Sequence, residues 1–130
     1  MPVRLRPPRN QSLGEYLMSL DVYLETNTCP MCGRRDEGYS ANITHNLNKM
    51  ADEAGIYGVV WSPEENGVAH ARQLIQPLRK ALAMMKAEPE RFKQHDALNG
   101  WGTYAQFLPW LELYLAACEQ TPDATISVSR

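Results

Sequence analysis

Apolar side chains recur along the chain with two periods, every second residue in two short stretches and every third or fourth residue in three longer ones. Leu20, Val22 and Leu24 alternate with Asp21, Tyr23 and Glu25, and Ala124, Ile126 and Val128 alternate with Thr125, Ser127 and Ser129. That is the period of a half-buried strand. A lone strand cannot satisfy its own backbone, so the 20–25 and 124–130 segments are expected to pair antiparallel. The helical period appears first at Leu47, Met50, Ala51 and Ala54, after a start that Thr44 or Asn42 can cap and before Gly55, which sits where a left-handed C-terminal residue belongs. It returns from Ala69 to Ala87 at Ala71, Leu74, Ile75, Leu78, Leu82 and Met85, with Pro77 expected either to kink the helix or to start a second half. It appears last at Tyr104, Phe107, Leu108, Leu111, Leu115 and Cys118, behind a capping box of Thr103 and Gln106 and ahead of Thr121-Pro122-Asp123.

The remaining segments fill in around these elements. Met1 to Gln11 is rich in proline and arginine, with little to bury, and reads as a flexible tail. Ser12 and Glu15 suggest a short helix to Ser19, weakened by Gly14, and Thr26 to Ser40 reads as a loop. Ile56 to Val68 is a connector whose Trp61 should plug the edge of the core, and Glu90 to His95 is a helical turn carrying Phe92 inward. The expected fold is helix-rich α+β, with three main helices and a small antiparallel sheet forming one globular domain over residues 12–130.

Composition narrows the function classes. The 130 residues are 44% apolar and 22% charged, with a formal net charge of -2, so nothing draws the chain globally to duplex nucleic acid or to a membrane surface. No apolar run approaches the roughly 20 residues that span a bilayer. The first residues lack the apolar segment of a secretory signal, and a cytoplasmic location is expected. Three cysteines cannot all pair with one another, which leaves thiol or metal chemistry to consider.

The densest polar cluster is Asn42-Ile43-Thr44-His45-Asn46-Leu47, which carries more hydrogen-bonding side chains than a helix start requires. A second is Asn99-Gly100-Trp101-Gly102-Thr103-Tyr104, where two glycines flank a tryptophan and permit close approach of another group. Together with the terminal Ile126-Ser127-Val128-Ser129-Arg130, these motifs resemble a family of small uncharacterised proteins of bacteriophages and bacterial genomes, over about Asp21 to Arg130. The resemblance implies a phage or prophage setting and a shared site, but carries no reaction with it. Cys29 and Cys32 are not part of the shared pattern.

Three chemistries follow from these residues. Asn42, Thr44, His45 and Asn46 at a helix start, Asn99, Trp101 and Tyr104 as amide and stacking surface, and Arg130 as a cation would suit a small anionic or nucleotide-like ligand. The competing reading assigns the same residues to capping, loop hydrogen bonds and core. Cys29-Pro30-Met31-Cys32-Gly33 has the form of a zinc knuckle, but supplies only two ligands. His45 and Cys118 would have to converge on it, or two copies in a homo-oligomer would have to share the metal. A redox dithiol lacks the βαβ context of a thioredoxin-like fold. Finally, His45 could act as a general base in a small hydrolase or transferase, with Asp21, Glu25 or Tyr104 orienting it. The ligand-capture reading makes the protein a binding module for a small molecule or a host protein. The remaining class is a structural adaptor in which the polar hub serves stability alone.

Overall fold

The computed structural model describes residues 19–28 and 35–130 of the chain. Three antiparallel strands, β1 (Ser19–Thr28), β2 (Arg35–Thr44) and β3 (Thr125–Ser129), lie in the order β2-β1-β3. Five helices pack with them: α1 (Asn48–Glu53), α2 (Tyr57–Trp61), α3 (Arg72–Ala87), α4 (Pro89–Lys93) and α5 (Tyr104–Gln120). The fold is α+β. The expected pairing of the first and last alternating segments is present, with Val22 opposite Val128 and Leu24 opposite Ile126. No described helix is long and apolar enough to cross a membrane.

Strand β1 forms the centre because one of its faces is fully apolar. Leu20, Val22 and Leu24 are completely buried. They stand opposite Ile43, Ala41 and Tyr39 of β2, and the shared face packs on a core that includes Trp61, Phe92, Phe107 and Tyr114. The outward residues are polar, with Asp21 facing Asn42 and Tyr23 facing Ser40. The outer edge of β3 is partly covered by the chain entering α3: Ile126 N–H donates to Ala69 O at 3.0 Å, and Ala71 N–H donates to Ala124 O at 2.9 Å.

Two sequence expectations need correction. Of the loop expected from Thr26 to Ser40, residues 26–28 extend β1 and residues 35–40 belong to β2, a ten-residue edge strand. Its start carries charge and Gly38, and its inward Tyr39 and Ala41 are only half-buried, so its alternation is faint beside that of β1. Asn42 to Thr44, assigned to a helix start, instead complete that strand. A 3-10 turn, His45–Leu47, separates it from α1. The expected cap does form, one turn earlier than the α-helix: Thr44 Oγ1 accepts from Asn46 N–H at 3.2 Å.

Other local signals translate directly. Gly55 adopts φ +78° after α1. α3 is one continuous helix across Pro77, so the proline does not start a second half. Phe92 is fully buried from α4. The capping box of Thr103 and Gln106 opens α5, whose buried stripe is Tyr104, Phe107, Leu111, Tyr114 and Cys118. Leu108 and Leu115, expected on that stripe, lie half-buried at its margins. The tail, the Ser12 to Ser19 helix and the Cys29/Cys32 knuckle were read from residues that, apart from Ser19, lie outside the described ones.

Leu24 and Leu113 provide a direct check on this architecture, one fully buried on β1 and the other 63% exposed on α5. Leu24→Ala should lower the unfolding free energy by about 2–5 kcal/mol, while Leu113→Ala should change it by less than about 0.5 kcal/mol. Urea titrations of both variants read the contrast, and similar losses at the two positions would contradict the layer arrangement.

Candidate functional site

The pairing of β1 and β2 ends with Ser19 opposite Thr44, and at that corner the chain leaves the sheet through the His45–Leu47 turn. The loop before α5 comes down on the same corner. Gly102 (φ +112°) packs so close that a Cβ there would stand 3.0 Å from Asn46 Cβ and 3.2 Å from Thr44 Cγ2. Only glycine meets both demands, the backbone angle and the close approach. Gln106 ties the loop to the helix it precedes, its Oε1 accepting from Gly102 N–H at 3.0 Å and Thr103 N–H at 3.1 Å and its Nε2 donating to Gly100 O at 3.3 Å.

Between the sheet corner and this loop lies a cleft of about 820 Å3, lined among the described residues by Ser19, Asn42, Ile43, Thr44, Asn46, Leu47, Asn99, Trp101, Gln106 and Trp110. Ile43 and Leu47 are buried, while the Trp101 indole is 56% exposed. Two amides bracket Trp101. Asn99 Oδ1 accepts from its backbone N–H at 2.9 Å, and Asn46 Nδ2 donates to its carbonyl at 2.9 Å. Each amide thus spends one end on the loop, leaving Asn99 Nδ2 as a donor and Asn46 Oδ1 as an acceptor beside the exposed ring. Asn42 spends its Nδ2 on Asp21 Oδ1 at 2.7 Å, and its own carbonyl accepts from Trp110 Nε1 at 3.1 Å.

The sequence nominated eight ligand-binding residues, of which Asn42, Thr44, Asn46, Asn99 and Trp101 meet in this cleft. His45, Tyr104 and Arg130 are not among its described lining residues. Tyr104 is buried, and its hydroxyl donates to Met85 O at 2.8 Å inside the core. Arg130 donates from Nη1 to Trp61 O at 2.9 Å and pairs through Nη2 with Glu64 Oε2 at 2.9 Å. That guanidinium holds the Glu64 carboxyl below its ordinary range. His45 accepts at Nδ1 from Trp61 Nε1 at 2.6 Å, which places the ring proton of the neutral form on Nε2. Burial, reinforced by the nearby Arg130 cation, holds the His45 pKa below the ordinary 6.5.

Trp110 and Gln106 line the cleft although neither was nominated by the sequence as a binding residue. Their signal was present: they lie at i and i+4 on α5, next to the buried stripe of Phe107 and Leu111, and so share one helix face. Ser19 joins the site only through its pairing with Thr44, which no local pattern announces.

No metal cluster takes shape among the described residues: no group of three or more His, Cys, Asp or Glu is placed to hold an ion. Cys118 is buried, and burial, followed by the nearby Glu119 charge, pushes its thiol up to about 12, away from the thiolate a metal needs. Cys29 and Cys32 lie outside the described residues.

The burial of His45 near Arg130 has a pH signature. Because the folded pKa is depressed, the unfolded chain takes up the proton first as pH falls. The contribution of His45 to stability is complete above 6.5 and is lost as pH drops through that value toward the folded pKa. His45→Gln, which keeps an acceptor but does not titrate, should therefore lose less melting temperature than the parent between pH about 7.5 and about 5.5. Parallel melting curves against pH would show that the fold does not hold His45 below its ordinary pKa. At the loop, Gly102→Ala should cost about 1–3 kcal/mol and increase the fluorescence accessibility of Trp101 to iodide. Unchanged stability there would mean that the loop does not rest on Asn46.

The chain matches no known family model, no curated protein and no solved structure.

Proposed function

We propose that the protein is a binding module whose corner cleft captures an uncharged small molecule with a flat face and a hydrogen-bonding edge. The observation that supports this is the chemistry of the lining: two indoles, an apolar floor of Ile43 and Leu47, and the amides of Asn42, Asn46, Asn99 and Gln106, with no ionisable side chain among the described lining residues. Ligand sites are typically concave, largely apolar and furnished with a few polar groups that fix orientation. An anionic group in this cleft would find no described lysine or arginine in the lining to pair with. The small anionic or nucleotide-like ligand expected from the motifs therefore narrows to a neutral, ring-bearing molecule.

The same lining argues for capture over turnover. General acid–base work needs a group that titrates near the operating pH within reach of the substrate. His45 lies off the described lining with its Nδ1 engaged by Trp61, so a hydrolase or transferase built on it finds no support here. The resemblance to small phage proteins supports a setting in the cytoplasm of a bacterial host, where sequestering a host signalling molecule or blocking a defence component is a purpose that binding alone achieves. A host protein as partner is the second reading, favoured by the fully exposed Leu98 and by the exposed Leu113. A structural zinc at Cys29 and Cys32, shared between two copies in a homo-oligomer, is the structural alternative.

Native mass spectrometry of protein purified gently from a bacterial host separates these readings. The module predicts an added mass on the order of a few hundred daltons, the scale of a ligand that fits a cleft this size. That mass should be lost in Asn46→Ala. Added zinc lost in Cys29→Ser, with no small molecule retained, would favour the structural alternative, and a retained polypeptide would favour the protein partner.

A further inference from the structure

We propose that the molecule held in the cleft is the base of an uncharged nucleoside, stacked on Trp101 and read at its edge by Asn99 and Asn46. This rests on the neutral-cleft reading above and deepens it. The argument begins with what each amide has already committed. Asn99 uses its oxygen on the Trp101 N–H, and Asn46 uses its nitrogen on the Trp101 carbonyl. Their remaining ends are of opposite kind, one donor and one acceptor, and both are anchored to the residue whose ring is exposed. Bonding to the backbone removes much of the rotational freedom of the two amides, so the donor and the acceptor are held in place before any ligand arrives.

A nucleobase matches that arrangement in three ways. It is a rigid plane whose edge carries an acceptor next to a donor, the pattern that side-chain amides read. Its flat face stacks on an indole whichever base it is, and removing such an aromatic ring weakens binding by about five- to hundredfold. It carries no charge, which suits a lining with no described ionisable side chain. A phosphate on the same nucleoside would find no cation among those lining residues. Arg130, the cation the terminal motif offers, is committed to Glu64 and to the Trp61 carbonyl. The cleft of about 820 Å3 is large enough to admit a base together with its sugar. Neutral sugars are the main competitor, since their apolar faces also pack on tryptophan. Their hydroxyls rotate and act as donor and acceptor alike, so they gain less from a donor and an acceptor set at fixed positions.

Isothermal titration calorimetry of the full chain decides the matter, with adenosine, guanosine, cytidine and uridine as nucleosides, cellobiose and N-acetylglucosamine as sugars, and adenosine monophosphate as the charged control. The expected result is saturable binding of at least one nucleoside. Trp101→Ala should weaken it at least about tenfold, and Trp101→Phe, which restores a flat ring, should recover most of the loss. Asn99→Asp keeps the oxygen that holds the Trp101 N–H and turns the spare donor into an acceptor. It should weaken the same nucleoside about tenfold or more while the melting temperature stays within a few degrees of the parent. An Asn99→Asp variant that binds as tightly as the parent would overturn the edge readout and with it this assignment. Binding of the sugars without the nucleosides would also overturn it, while leaving the neutral cleft intact. Binding of adenosine monophosphate with no response to adenosine would overturn the neutral cleft itself, and silence toward every probe would overturn both.

Discussion

The register that sets Ser19 opposite Thr44 is the constraint on which the rest of the structure depends. It is imposed from inside: Leu20, Val22 and Leu24 must all face the helices, and a slip of one residue would turn all three to solvent. Once Leu20 lies opposite Ile43, the end of β2 is determined, and so is the point at which the chain turns through His45–Leu47 into α1. The corner that becomes the cleft is therefore a by-product of core packing. Strand β3, pairing on the other side of β1 and tied to the residues before α3, holds that central strand from its second edge.

Around this corner the polar residues divide their hydrogen-bonding capacity between structure and surface. Thr44 caps the turn, Gln106 holds the loop before α5, and Asn46 and Asn99 fix the backbone of Trp101. Capping and binding are often set against each other as explanations of a polar cluster, yet a primary amide has two ends. Here the structural bond fixes the orientation of the end left over. A donor and an acceptor anchored beside an exposed tryptophan are the outcome.

Trp61 plays the complementary part on the inside. It is 1% exposed, stacks on Tyr57, meets Phe107 edge-on, donates to His45 and accepts from Arg130 through its carbonyl. Residues that look reactive in the sequence, a histidine in a polar cluster and a terminal arginine, are thereby drawn into holding one indole. Their unusual chemistry is the depressed basicity of a half-buried histidine, and its direct effect is on folding stability.

What local sequence determined is whatever a short stretch of chain can satisfy alone. The period of Leu20, Val22 and Leu24, the capping box of Thr103 and Gln106, the left-handed Gly55 and the Thr44 cap all involve partners within a few residues, and each is present. The antiparallel partner of β1 was also legible, because two clean alternations with unsatisfied backbones had to meet. Strand β2 was not, since its inward Tyr39 and Ala41 are only half-buried and its backbone is satisfied by β1, a partner whose identity depends on the register. The site divides along the same line. Asn42, Thr44, Asn46, Asn99 and Trp101 could be nominated from residue type, but Trp101 and Tyr104, three positions apart, go to opposite fates, one exposed at the cleft and one buried with its hydroxyl on Met85. The assignment of His45 to Trp61 and of Arg130 to Glu64 spans 16 and 66 positions, and contacts of that separation are set by which surfaces the core brings together. Residue type determined which side chains could bind, and tertiary packing decided which of them face a space that a ligand can enter.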